Sequence, residues 1–196
     1  LCKGVEDIYH YECHLPDLPP EHEIINYGLP PEKQFFKRVE IPAKIKALNK
    51  IDREEAITIA EADPELSKWI ALMWKKFVYG EHQYINGEPI YIPPTYWFYL
   101  NFWNLDTGLP KFRYDKTHYT SDLWDFTFWD LLVQPSPVCY GEIEGSKRRG
   151  GKTYKTMCKA YKRIIGGKRF RGCIQSKSDK DAEDAFVEKM VQPWMD

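Results

Sequence analysis

The stretch Val138 to Thr156, "VCYGEIEGSKRRGGKTYKT", constrains this chain more than any other. It reads as a short strand, a glycine- and arginine-bearing loop, and a helix. That is the setting of a phosphate-binding loop, whose usual pattern is Gly, four residues, Gly, Lys, then Ser or Thr. Gly151-Lys152-Thr153 fits the end of that pattern, and residues 146–153 span the motif. Residue 146 is Ser where the pattern has Gly, and Gly145 falls one place early. Serine costs little at a loop entrance that needs no left-handed backbone.

The residue types match an anion cradle. Gly150 and Gly151 let backbone amides approach phosphate oxygens. The following helix aims unpaired N–H groups and its dipole at the anion. Ser146, Lys147, Arg149 and Tyr154 complete the expected nucleotide contacts. Lys152 is placed to neutralise the β and γ phosphates, and the Thr153 hydroxyl to ligate Mg2+ accompanying ATP. Arg148 is expected to stabilise charge developing on the γ-phosphate, as an arginine finger does.

Charge is distributed unevenly. Ser146 to Lys177 holds twelve Lys or Arg and no acid, whereas residues 1–145 hold fourteen basic and twenty-three acidic residues. Such a basic block suggests a polyanion, nucleotide or nucleic acid. Lys155, Lys159 and Lys162 recur at helical spacing and read equally well as a solvated face.

The rest of the chain supplies the frame. Residues 1–52 form an irregular Pro-rich segment, and 53–110 a helical region with a hairpin. Residues 111–196 form the first half of an ATPase domain. The spacing predicts a helix over Arg53 to Ala62. A second begins with Asp63 as cap and Pro64 first, and packs a stripe of Leu66, Trp69, Ile70, Met73 and Phe77. Asn86-Gly87 between apolar segments predicts a hairpin closed by Pro93-Pro94. "TYWFYLNFW" then predicts a buried helix from Thr95.

"DLWDFTFWDLL", Asp122 to Leu132, predicts a helix with Leu123, Phe126, Trp129 and Leu132 or Val133 inward. Met157, Ala160, Tyr161 and Ile164 make the apolar face of the helix after the loop, which Gly166-Gly167 ends. Val138 to Glu144 and Phe170 to Ser176 are expected as strands of one parallel sheet with a right-handed crossover. Ser178 caps a last helix, facing inward through Ala182, Ala185, Phe186 and Met190 and stopped by Pro193.

Five cysteines without CxxC spacing fit reduced thiols. Cys2, His10, Cys13 and His14 cluster, but their spacing matches no common zinc module. No apolar run reaches eighteen residues, and no signal-peptide pattern follows Leu1, which reads as the start of a trimmed piece.

"SKRRGGKT" resembles the deviant phosphate loop of the large terminase subunit of tailed bacteriophages, which often lacks the first glycine and carries an arginine before Gly-Lys-Thr. "PTYWFYLNFW" resembles that family's upstream aromatic segment. "PKFRYDKTHYTSDLWDFTFWDLL" stands where it has its adenine-contacting segment, and "GCIQSKSDKDAEDAF" resembles its second strand and following helix. The likeness covers roughly residues 75 to 196 and is nearest the large terminases of Bacteroides-type (crAss-like) phages.

The resemblance implies an α/β fold: an additional-strand P-loop NTPase core, incomplete here, preceded by a mainly helical region with a β-hairpin. It implies an ATPase that drives double-stranded DNA into a procapsid in the host cell cytoplasm. The family works as a homo-oligomeric ring with a portal protein and a small terminase subunit. It also carries a two-metal nuclease, which with the magnesium-holding acidic strand is expected after Asp196. The adenine side would fall to Phe112 and Arg113. Glu142 and Glu144 receive no catalytic role, because a strand entering the loop cannot place both at the γ-phosphate. Another helicase or translocase using the same loop, and a basic nucleic-acid-binding module without ATPase activity, remain alternative readings.

Overall fold

A computed structural model describes residues 14–48, 50–114, 122–137, 139, 141–143, 151–167 and 175–195. Among these the chain mixes helices with a two-stranded antiparallel sheet. The helices are α1 (Ala43–Leu48), α2 (Arg53–Ala62), α3 (Pro64–Tyr79), α4 (Pro94–Phe102), α5 (Asp122–Phe128), α6 (Lys152–Gly166), α7 (Asp179–Phe186) and α8 (Gln192–Met195). The strands are β1 (Glu81–Ile85) and β2 (Glu88–Ile92), between α3 and α4. Five-residue π-helical turns, Trp129–Val133 and Val187–Val191, extend α5 and α7.

Local chemistry sets most boundaries. The Asp52 side chain accepts from Glu54 N at the head of α2. Asp63 accepts from Glu65 N and Leu66 N, with Pro64 opening α3 as the sequence predicts. Asn86 and Gly87 take positive φ of 51° and 85°, which lets a two-residue turn close the hairpin with Glu81 opposite Ile92. α4 starts at Pro94, one residue earlier than predicted. Thr95 leaves the capping to another element: its backbone N donates to Asp130 Oδ2 at 2.6 Å, and its hydroxyl also bonds that carboxylate.

Gly80 joins α3 to β1 at φ 74°, ψ −161°, a conformation essentially restricted to glycine. A Cβ there would lie 2.3 Å from the Ile92 carbonyl oxygen. Gly80→Ala is expected to lower stability by about 2–3 kcal/mol. Urea unfolding should show a lower midpoint with unchanged slope.

The proline-rich start is irregular but tied in. Ile25 bridges β1, donating to His82 O and accepting from Tyr84 N. Buried Gln34 accepts from Gly87 N through its side chain. Buried Gln83 exchanges hydrogen bonds with the Lys37 backbone, and Asn101 Oδ1 accepts from Val39 N. These amides replace a regular ladder, so the extended backbone keeps its partners while lying on the core.

α4 is the centre of the core, as predicted. Tyr96, Trp97 and Leu100 are almost fully enclosed, and Trp103 follows them inside. Phe126 of α5 stacks on Tyr96 at 5.0 Å between ring centroids, and Cys158 and Met157 of α6 join the same cluster. Offset aromatic stacking adds to the area these rings remove from water.

Three expectations about faces change, and one about a helix end. The α3 stripe is only partly covered. Leu66 is buried and Met73 and Phe77 reach the core, but Ile70 is 40% exposed, and so is its neighbour outside the stripe, Trp74, at 56%. Its uncovered edge borders an open apolar groove of about 250 Å3 with Trp69, Trp97, Phe98, Phe102 and Ile165. On α6, Ile164 is exposed, because the buried face holds lysines instead. On α7, Met190 is buried but Phe186 is not. Pro193 does not stop the last helix. The π turn Val187–Val191 precedes it, and α8 restarts with proline in its first turn, where no intrahelical N–H is needed. The Pro193 carbonyl then accepts from Asn104 N.

The two expected parallel strands fall largely outside the described residues. Cys139, residues 141–143, Gln175 and Ser176 are described and lie in no strand.

Candidate functional site

Helix α6 begins at Lys152. Gly151 precedes it in the left-handed conformation, φ 74° and ψ 13°. Glycine enters that region without strain and Asn or Asp at small cost, whereas a bulkier side chain is disfavoured, so Gly151 suits the turn into the helix. Lys155 N donates to Gly151 O at 3.2 Å, closing the first helical turn. The cap residue, Gly151, has no side chain to close this end, and no acid occupies the first turn, so nothing within the helix itself offsets the positive end of its dipole. Lys152 is half-buried and Thr153 exposed. Ser146, Lys147, Arg148, Arg149 and Gly150 lie outside the described residues, as do Cys2, His10 and Cys13.

Three further expected site residues have other engagements. The Tyr154 hydroxyl donates to Asp106 Oδ1 at 2.7 Å and accepts from Lys189 Nζ at 3.0 Å, and that ammonium lies 4.7 Å from its ring centre. Tyr154 therefore joins the start of α6 to the loop after α4 and the last helical segment. Phe112 stacks on Phe36 at 5.3 Å and Tyr96 at 5.7 Å, which commits its ring to the core. Arg113 is held through its backbone, donating to the Tyr96 hydroxyl at 2.7 Å, and its side chain is exposed.

What the sequence reading missed lies along α6. Lys155, Lys159 and Lys162 are 5%, 2% and 9% exposed, so the solvated-face reading of these lysines is wrong. Lys155 Nζ donates to Asp125 Oδ2 at 2.9 Å and lies 3.6 Å from Asp122 Oδ1. Lys159 Nζ donates to Asp125 Oδ1 at 2.9 Å and pairs closely with Glu142. Its ammonium also lies over the rings of Phe126 and Trp129, and Lys162 over Phe77 at 4.9 Å. Buried ammonium groups persist only when compensated: carboxylates of α5 pair with Lys155 and Lys159, and Lys162 lies against the Phe77 ring under the influence of Asp130. The signal was present: lysines at positions i, i+4 and i+7 of a helix with no acids, opposite aspartates at i and i+3 of an otherwise apolar one.

Burial dominates the electrostatics. It pushes the Asp122 carboxyl above its usual range, against the pull of Lys155. Asp130 is raised for the same reason, opposed by Lys162 and by its bonds to Thr95. Lys162 is lowered by burial, opposed by Asp130, and the Cys158 thiol is pushed well up. A thiol held protonated is a core group rather than a nucleophile. Glu142, given no catalytic role above, is committed to Lys159. Among the described residues no group of three or more His, Cys, Asp or Glu could hold a metal. No helix among them is long and apolar enough to cross a membrane.

No protein family, curated protein or solved structure matches this chain.

Proposed function

We propose that this chain carries the ATP-binding half-site of a nucleic-acid-translocating ATPase of the large terminase kind. The observation that carries the reading is a left-handed Gly151 directly ahead of a helix that opens with Lys152-Thr153 and has no acid in its first turn. The residues fit the group they would hold. Lys152 would neutralise phosphate, and the exposed Thr153 hydroxyl is a hard oxygen donor suited to Mg2+. Bound Mg2+ would supply charge neutralisation between phosphates. Arg148 would supply cationic stabilisation from within the loop.

The buried lysines favour this reading over a basic binding module. Such a module needs its lysines in solvent to meet phosphates. Lys155, Lys159 and Lys162 are enclosed and face carboxylates or aromatic rings. Double-stranded DNA as the translocated substrate, a homo-oligomeric ring, the portal and small-subunit partners, and a nuclease further along the protein belong to the same proposal. A helicase using the same loop is the alternative, and nuclease carboxylates elsewhere in the protein would favour the terminase reading over it.

The test is ATP–Mg2+ titration of the intact protein. Lys152→Ala is expected to weaken binding roughly tenfold to a hundredfold, the loss of about 1.5–3 kcal/mol for a charge-assisted contact. The exposed Lys177→Ala serves as the comparison and should bind as the parent does. Unchanged affinity in Lys152→Ala removes the loop from the function.

A further inference from the structure

Lys152, Lys155, Lys159 and Lys162 follow one another at spacings of three, four and three, which places them along one face of α6. Lys152 heads that stripe, and the next two members are gripped by one carboxylate. Asp125 uses both oxygens, one on Lys155 and one on Lys159, each at 2.9 Å. Two contacts one turn apart set both the rotation of a helix about its axis and its position along it.

Stability alone does not explain such an arrangement. Apolar residues of similar volume commonly stabilise an interior as well as a buried ion pair does, or better. What charged pairs add is a unique register.

We propose that Asp125 is a positioning residue for the phosphate site. By fixing α6 at Lys155 and Lys159, it sets the direction in which Gly151, Lys152 and Thr153 would meet a phosphate. The inference rests on the ATP-site reading above.

The sign of the expected effect separates positioning from charge. Asp125→Asn removes a negative charge near a site for an anion, so electrostatics alone makes ATP bind equally well or more tightly. Positioning makes ATP bind more weakly.

ATP–Mg2+ affinity is measured on the intact protein, with circular dichroism establishing that each variant is folded at the assay temperature. Asp125→Asn is expected to lose tenfold or more in affinity. Glu142→Gln removes the other acidic partner of Lys159 without touching the two-lysine bridge, and is expected to stay within twofold of the parent. Folded Asp125→Asn with parental or tighter affinity overturns the proposal, as does an equal loss in Glu142→Gln. If Asp125→Asn does not fold, Asp125→Glu replaces it. That variant keeps the charge while lengthening the arm. Weaker binding by folded Asp125→Glu supports positioning; parental affinity, or failure of this variant also to fold, overturns the proposal. Lys152→Ala binding as the parent would refute the ATP-site reading itself, whatever the Asp125 variants do.

Discussion

Arg148→Ala in the intact protein is expected to bind ATP almost normally and to hydrolyse it very slowly. A guanidinium that meets the γ-phosphate only as charge develops lowers the barrier without tightening the ground state. Its loss should cost about 3–5 kcal/mol, on the order of a hundredfold to several-thousandfold in turnover. Arg149→Ala should be milder, because adjacent side chains of a loop point in different directions. It would then serve a neighbouring subunit or DNA. Steady-state ATPase and nucleotide affinity, measured together for both variants, decide the matter. Normal turnover in Arg148→Ala returns "KRR" to a solvated basic turn.

Lys159→Ala should be the most damaging change to stability among the lysines of α6. It strips Asp125 of one of its two partners, leaves Glu142 facing an empty space, and removes an ammonium that lies over Phe126 and Trp129. Breaking a buried pair costs about 3–5 kcal/mol, a large part of the ~5–15 kcal/mol that holds a typical domain together. Lys177→Ala provides the contrast. Its i,i+4 partner Asp181 lies 3.8 Å away and its side chain is 86% exposed, so the change should stay within about 0.5 kcal/mol. Urea unfolding of both variants measures the difference. A Lys159→Ala protein as stable as the parent would mean that this lysine faces water.

The apolar groove beside α3 shows how far periodicity reaches. Leu66, Met73 and Phe77 follow the predicted stripe inward, yet Ile70 of the same stripe remains at the surface. Spacing identifies which residues share a helix face. It carries no information on how wide the neighbouring elements are, and here they cover only one edge of the stripe.

Short-range chemistry was legible in the sequence. Asp63 and Pro64 at the head of α3, Asn86-Gly87 in the hairpin, Ser178 at the head of α7 and Gly151 before α6 each act within a few residues. Their backbone conformations follow from side chains beside them in the chain, so no distant partner is required. The enclosed aromatic helix was legible too, because nine residues without a charge have few ways to meet water. Everything that depended on a partner far along the chain was not. Asp130 caps α4 from thirty-five residues away, and Asp125 reaches Lys155 and Lys159 across thirty and thirty-four. The same lysine is a solvated residue or a buried ion according to whether a carboxylate arrives opposite it. Propensity and spacing are properties of one segment, whereas burial and charge pairing belong to two, and only the elements packed around α6, with Asp125, Glu142 and Phe77 among them, decided which lysines of this basic helix leave the solvent.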